Sequence, residues 1–574
     1  MSRPAPTRLT LAVLSATALA ALSLSTAQAA PTTRTALSGS KASWATQAHR
    51  TGASDQSETV NFRVYLQGRD DAGAQAYATA VSTPGSALYK HFLTPAQYRA
   101  KYAPTASQVA ALKQWLRSQG LSVGYTPANN RYVEAHGSVA TAGKAFGTTF
   151  SQYTYRGKSL RSNDSELSVP SDVGGVQAVI GLDDSMALVE HDVVPPAPVF
   201  VNAQPCSAYW GEKTVANTAT PDGTKLPSTP SAFSPCGYAG TQLQGAYGVK
   251  QAIASGNDGK GVTVAVIDAY ASPTAAQDLE AYSAKHGLPS TKGLFKEQVA
   301  PGTYNRAVNS KQDPQGWAGE ETLDLEAVHT TAPGANILYV GAPNNYRDMD
   351  ATLNHVVDSH SADIITNSYG YGGEALPQGY IKPQVDAQVQ AAAEGISIFF
   401  SSGDSGDETG GDSSVAPTPD WPASSPWVTA VGGTSLGVTK DDSRQFELGW
   451  ETGRSTLVNG AWSPATYQYG SGGGTSRLFA QPAYQKGVVP DALSKTYGGA
   501  AQRVVPDVSA LGDPTTGTAV GQTQTGVDDA DGYSYTARWF DDDEPLTIHV
   551  RPAYDDVTGV GSPDGQAWLD AVTK

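Results

Sequence analysis

The stretch Gly319-Glu320-Glu321-Thr322-Leu323-Asp324-Leu325-Glu326-Ala327-Val328-His329 holds two carboxylates at a spacing that can do chemistry. Read as a helix, it puts Glu320 and Asp324 four residues apart on one face, close enough to touch. Like charges at that separation destabilise a helix. They also make a proton-sharing device, because one carboxyl is pushed to hold its proton while the other ionises. Leu323 and Ala327 fall on a flank expected to pack inward. A further acidic group, Asp404, stands in the Gly-rich turn Ser401-Ser402-Gly403-Asp404-Ser405-Gly406.

Continuous apolar runs at 261–268, 336–340, 363–368 and 396–400 supply the elements that would hold these groups. Runs of this kind are buried on both faces, as in parallel sheets covered by helices. Helical patterns at 349–359 and 383–394 alternate with them, which predicts an α/β, doubly wound parallel sheet. In such sheets the ligand crevice lies at the carboxyl ends of the strands. The Asp404 turn leaves one of those ends. Beyond Trp421 the chain turns rich in Gly, Ser and Tyr, with little helix expected.

The N-terminal part reads as a separate α+β unit over 58–190. Val60-Asn61-Phe62-Arg63-Val64-Tyr65-Leu66-Gln67 alternates as a half-buried strand. Thr94-Pro95 is a helix start, and Thr105-Ala106-Ser107-Gln108 is a capping box for a helix with Val109, Leu112 and Leu116 on one face and Gly120 as its stop. Strand-like pieces follow at 132–135 and 186–189. Residues 30–57 read as a flexible polar lead. Four prolines at 195, 196, 198 and 205 mark 191–205 as a linker and processing region, with a larger domain over 206–574.

Arg3 and Arg8 precede an apolar run from Leu9 to Leu24, and Ala27-Gln28-Ala29 offers a cleavage site, so 1–29 reads as a secretory signal peptide and the protein as secreted and extracellular. Cys206 and Cys236 are then expected to form one disulfide in an oxidising compartment. The balance of 38 basic against 54 acidic side chains gives −16 and argues against a nucleic-acid or anionic-membrane partner.

Motifs in order along both units resemble the sedolisin, or kumamolisin-like, serine-carboxyl peptidases. They are Leu88-Tyr89-Lys90-His91-Phe92-Leu93-Thr94, Val266-Ile267-Asp268-Ala269-Tyr270, Gly319 to Asp324, Ser402-Gly403-Asp404-Ser405-Gly406, Thr429-Ala430-Val431-Gly432-Gly433-Thr434, Ser471-Gly472-Gly473-Gly474, Pro506-Asp507-Val508-Ser509 and Thr558-Gly559-Val560-Gly561-Ser562-Pro563. The resemblance implies a subtilisin-like fold behind a small α+β (ferredoxin-like) activation domain that acts as an intramolecular inhibitor. It implies acid-acting hydrolysis of protein or peptide substrates through an acyl-enzyme. Glu320 would be the general base, Asp324 would orient it and share its proton, and Asp404 would be a protonated donor to the oxyanion. A carboxylate base suits low pH, where His would be protonated and useless. A His-based site is not supported: Asp268 reads as structural, and His286-Gly287 as a surface turn ended by Leu288-Pro289.

The sequence departs from the family at its nucleophile. A Gly-Thr-Ser turn opening an apolar helix is expected after Asp507, yet Thr525 runs directly into Gly526 and the remaining serines are Ser509, Ser534 and Ser562. The domain reads as internally truncated near 525. Of the Gly-Thr-Ser triplets elsewhere, Ser476 is the weak candidate and Ser435 the weaker. The family's calcium site is half present: Asp555 matches its later ligand, the earlier loop would lie in the missing stretch, and Asp541, Asp542 and Asp543 read as a solvated turn able to supply oxygens. The alternative function is a non-catalytic pseudopeptidase that binds peptides or a partner protein.

Overall fold

A computed structural model describes residues 1, 33–191, 205–220, 223, 225–299, 314–523, 534–538 and 547–572. The expected signal peptide, nearly all of the linker, the 525 junction and Asp541–Asp543 lie outside the described residues. Among the described residues no helix is long and apolar enough to cross a membrane.

The N-terminal unit runs β1 (Arg34–Ala36), β2 (Arg50–Ala53), β3 (Thr59–Leu66), α1 (Asp71–Ser82), α2 (Pro95–Lys101), α3 (Ala106–Ser118), β4 (Ser122–Val123), β5 (Tyr132–Ser138), α4 (Val139–Phe146), β6 (Phe150–Tyr155), β7 (Lys158–Asn163), β8 (Ser168–Pro170), β9 (Val176–Ile180) and β10 (Val189–His191). Thr94 and Thr105 form capping boxes with Gln97 and Gln108, satisfying the first free N–H groups of α2 and α3. An antiparallel sheet of order β4-β5-β3-β9 carries α3 and α4 on one face, where Leu112, Trp115 and Phe146 meet Phe62, Val64 and Val133. Two expectations fail here. Residues 33–57 are not a flexible lead: β1 pairs with β8, β2 pairs with β6, and Trp44 is buried and stacked on Tyr155. Residues 185–188 form a 3₁₀ turn that buries Met186 before β10 begins at Val189.

Strand β3 is not half-buried; from Phe62 to Leu66 both faces are covered. Its even residues enter the unit's own core, and its odd ones, Arg63 and Tyr65, meet the larger domain. That domain begins with α5 (Gly240–Ala246), α6 (Lys250–Ala254), β11 (Thr263–Ala269), α7 (Ala275–His286), β12 (Phe295–Val299), α8 (Pro314–Thr331), β13 (Asn336–Ala342), α9 (Met349–Ser359), β14 (Ile364–Asn367), β15 (Tyr369–Tyr371), α10 (Gln378–Glu394), β16 (Ser397–Ser401), β17 (Thr429–Val438) and β18 (Arg444–Gly449). Strands β12-β13-β11-β14-β16-β17 are parallel neighbours, and β18 closes the order antiparallel. This is the doubly wound α/β sheet, with β11 and β14 at its centre. Helix α10 begins five residues before the expected 383, with Pro383 inside it, because Tyr380 and Ile381 pack into the interface core. Cys206 and Cys236 are joined by a disulfide.

The two units meet over α9 and α10. Arg63, 2% exposed, donates to Asp348 and Asp350, both at 2.6 Å, and Tyr65 also donates to Asp350. Arg131 faces Asp386 at 3.4 Å, Gln177 donates to Asp386 at 2.8 Å, Arg99 to Asp358 at 2.7 Å, and Tyr380 to Asp183 at 2.7 Å. Strand β10 adds antiparallel to β15, with Glu190 opposite Gly370.

Removing one partner of a fully buried ion pair leaves the other charge uncompensated, which costs about 3–5 kcal/mol. Arg63→Met is therefore expected to lower stability by about that much in equilibrium urea unfolding. An unchanged midpoint would show that the cluster does not hold the two units together.

Stability should also favour acid. Burial raises Asp183 to about 6, Glu394 to about 8 and Glu326 to about 9, hydrogen bonds offsetting part of each rise. Each folded group keeps a proton that the unfolded chain releases, so stability is fully present below the usual carboxyl range and is lost as pH rises through those values. Burial would raise Asp348 too, but Arg63 and Arg347 outweigh it and bring the carboxyl down to about 2. Its contribution is present above its ordinary 3.8 and lost on descent toward 2. Thermal melts across pH should peak at about pH 4 and fall on both sides; a maximum above neutrality would contradict this balance.

Candidate active site

Helix α8 carries Glu320 and Asp324, 3% and 8% exposed. It packs against β11, β13, α5 and α7, so much of its surface is covered and the simple two-sided picture from sequence fails. Trp317, Glu321, Leu325 and His329 are buried, whereas Leu323 is only half-buried and Ala327 is exposed. Acidic groups on such a helix need donors. Ser272 N donates to Glu321 Oε2 at 2.5 Å, and Gly521 N donates to Glu326 at 3.1 Å. Ser368 Oγ donates to Asp324 Oδ1 at 2.8 Å. Ser368 lies between β14 and β15, so the carboxylate is tied to the strand on which β10 docks. Sequence reasoning missed this serine. Its signal is a polar residue just past the carboxyl end of a buried parallel strand.

Asp404 leaves β16 and is half-buried. Strands β14 and β16 are adjacent and parallel, with Asn367 opposite Phe400, so Ser368 and the Asp404 turn emerge at the same end of the sheet. The fold thus brings α8's Asp324, through Ser368, to the sheet end that carries Asp404. A second Gly-rich turn locks the loop: Gly470 N donates to Asp404 O at 2.8 Å, and Gly472 N to Gly403 O at 2.6 Å. A Cβ on Gly472 would fall 2.0 Å from Ser402 O, so only glycine permits this approach. Burial, and then the charges of Asp404, Asp407, Glu408 and Glu451, raise the Tyr467 phenol.

The Gly-Thr-Ser triplets are structural. Ser476 is fully buried on β-structure at Gly474–Ala480; its hydroxyl donates to Glu374 and accepts from Leu478 N and Phe479 N, each at 3.0 Å. Ser435 is fully buried and donates to Asp513 at 2.7 Å. Neither hydroxyl is open to a substrate. Beyond Asp507, Ser509 is buried in the strand Val508–Leu511 and Ser562 Oγ donates to Glu447. Asp268, the next-to-last residue of β11, is fully buried; His286 is the last residue of α7, with its ring 4.4 Å from that of Tyr282, rather than a surface turn residue.

Asp555 does not fit calcium. Its carboxylate accepts Val557 N at 2.9 Å, Thr558 N at 2.6 Å, Arg551 N at 3.3 Å and the Thr558 hydroxyl at 2.9 Å. Those donors occupy the lone pairs a hard cation would need, closing a tight loop in which Asp555 and Gly559 bridge. Among the described residues no cluster of three or more His, Cys, Asp or Glu is placed to hold a metal.

Comparison with known proteins matches both units. The pro-kumamolisin activation domain model matches residues 46–185, and the subtilase family model matches residues 259–539. Sedolisin of Pseudomonas sp. (strain 101) is 28% identical over 464 residues, 79% of this chain and 70% of that protein. Kumamolisin of Bacillus sp. (strain MN-32) is 26% identical, covering 81% of this chain and 76% of that protein. Xanthomonalisin of Xanthomonas sp. (strain T-22) is 26% identical over 75% of this chain and 52% of its own length. A pro-kumamolisin activation domain docked on a subtilase domain, with these relatives, places the chain in the sedolisin family of serine-type peptidases.

Proposed function

We propose that this chain is the precursor of a secreted, acid-acting sedolisin-type endopeptidase held inactive by its own N-terminal unit. The observation that carries the reading is the hydrogen bond from Ser368 to Asp324, set beside the antiparallel docking of β10 on β15. Strand addition is how a peptide main chain is held on a sheet edge, and here the N-terminal unit takes that edge next to the carboxylate pair. In this reading Glu320 accepts the proton of an attacking serine and Asp324 shares it. Asp404 stays neutral in acid and donates to the oxyanion, as a preorganised dipole aimed at developing charge. Secretion is supported by the signal-like sequence at 1–29.

The nucleophile decides whether this copy turns over. The serines described after Asp507 are buried or engaged, and Ser534 belongs to a strand, Ser534–Arg538, paired with Ser455 and its neighbours. These facts favour, as second reading, a pseudopeptidase that binds peptides or a partner protein without cleaving them. Without its serine a protease keeps only ~10³–10⁴ over water, from binding and oxyanion stabilisation.

Sequencing the coding region across Thr525-Gly526 separates the two. A Gly-Thr-Ser helix there supports the enzyme. If the junction stands, the mature protein, separated from its N-terminal unit, is incubated with peptide substrates at about pH 4. Turnover that Glu320→Gln abolishes overturns the pseudopeptidase; no turnover with retained peptide binding overturns the enzyme.

A further inference from the structure

At the tip of the β6–β7 hairpin, Arg156 reaches out of the N-terminal unit to Glu408, with Nη2 3.1 Å from Oε2. Glu408 lies four residues after Asp404 in the same loop. Its side chain is only 10% exposed, so its charge is largely removed from water. The guanidinium and the carboxylate both crowd against Gly372, the residue that follows β15. A Cβ there would stand 2.2 Å from Arg156 Nη1 and 2.8 Å from Glu408 Oε2. The pair therefore sits at the end of the strand that receives β10, beside the loop that carries Asp404.

Two further observations set this contact apart from the ion pairs over α9 and α10. Arg156 and Gly157, at φ 45° and 72°, form the two-residue turn that closes the hairpin and so present the guanidinium at a fixed tip, and Glu408 holds φ 64°. And the site is shaped for a long cationic side chain. A narrow cavity beside Arg156 is walled by Tyr155 and Leu188 from the N-terminal unit and by Tyr371, Gly372 and Leu376 from the larger domain. The apolar lining suits the aliphatic stem of a basic side chain, and Arg156 shows that a charged tip there reaches Glu408, outside the cavity. Tyr371, Gly372, Leu376 and Glu408 remain with the larger domain when the N-terminal unit leaves. A half-buried carboxylate then loses Arg156, and a basic residue on an incoming peptide strand restores the pairing.

We propose that Glu408 is the acidic end of a substrate subsite that takes an arginine or lysine side chain, and that Arg156 fills this subsite in the precursor. The proposal rests on the reading of the Asp404 loop and β15 as a peptide cleft. It identifies a substrate class, peptides with a basic residue at that position. Glu190 of β10 reinforces the assignment, since its charge acts on both Arg156 and Glu408, so the docked strand and the hairpin tip share one patch.

The test opens the pocket in the full chain with Arg156→Ala and titrates N-acetyl-arginine methylamide and its neutral citrulline counterpart by calorimetry. The arginine derivative should bind Arg156→Ala at least about tenfold more tightly than the citrulline one, should not bind the wild-type chain, and should lose its advantage in Arg156→Ala/Glu408→Gln. If Arg156→Ala does not fold, Arg156→Gln, which keeps part of the aliphatic stem and removes the charge, is titrated in the same way. Equal binding of the two compounds, no binding of either, or a preference that survives Glu408→Gln overturns the subsite. None of these outcomes touches the turnover test of Glu320, and absence of turnover leaves this binding test intact.

Discussion

The assembly depends on a guanidinium with no exit to water. Arg63 lies on a strand of the N-terminal unit, yet its partners, Asp348 and Asp350, belong to the larger domain. Burying a charge is tolerable only with excellent pairing, so each unit completes the other's electrostatics. The aromatic and aliphatic surface around the cluster, with Tyr65, Tyr98 and Ile180 against Val356, Ile365 and Tyr380, is one continuous core. With that docking in place, β10 meets β15 and the β6–β7 hairpin meets the Asp404 loop. These strand and hairpin contacts follow from the interface, not the reverse.

The same burial gives the molecule its acid character. Carboxyls enclosed without a full complement of cations hold protons well above the usual range, as at Glu326 and Glu394. A chain with many such groups is most comfortable where they are protonated. That is also where a carboxylate pair, rather than a histidine, can act as a base. Stability and the proposed chemistry therefore draw on one physical cause.

The sequence carried much of the fold because periodicity and capping are local. The apolar runs near 263, 336, 364 and 397 became parallel strands within two residues of their expected starts, and the Thr94 and Thr105 caps opened helices where expected. Errors arose where tertiary packing supplied what local pattern lacked. The polar lead was ordered by pairing with β6 and β8. The polar face of β3 was covered by another domain, and α10 ran through Pro383 to bury Tyr380.

By itself the sequence determined that Glu320 and Asp324 share a helix face, that Asp404 stands in a Gly-rich turn, and that no Gly-Thr-Ser helix follows Asp507. These are matters of spacing and residue type. Only the tertiary structure decided that Ser368 binds Asp324, that Ser476 is sealed behind Glu374, that Asp555 closes its own loop, and that Arg156 faces Glu408. Each of those contacts except the loop of Asp555 joins residues at least 44 positions apart. Such pairs are brought together by sheet order and domain docking, which leave no periodic trace in the chain. Asp555 differs in kind: its partners are next to it in sequence, but which lone pairs they fill is a question of backbone geometry.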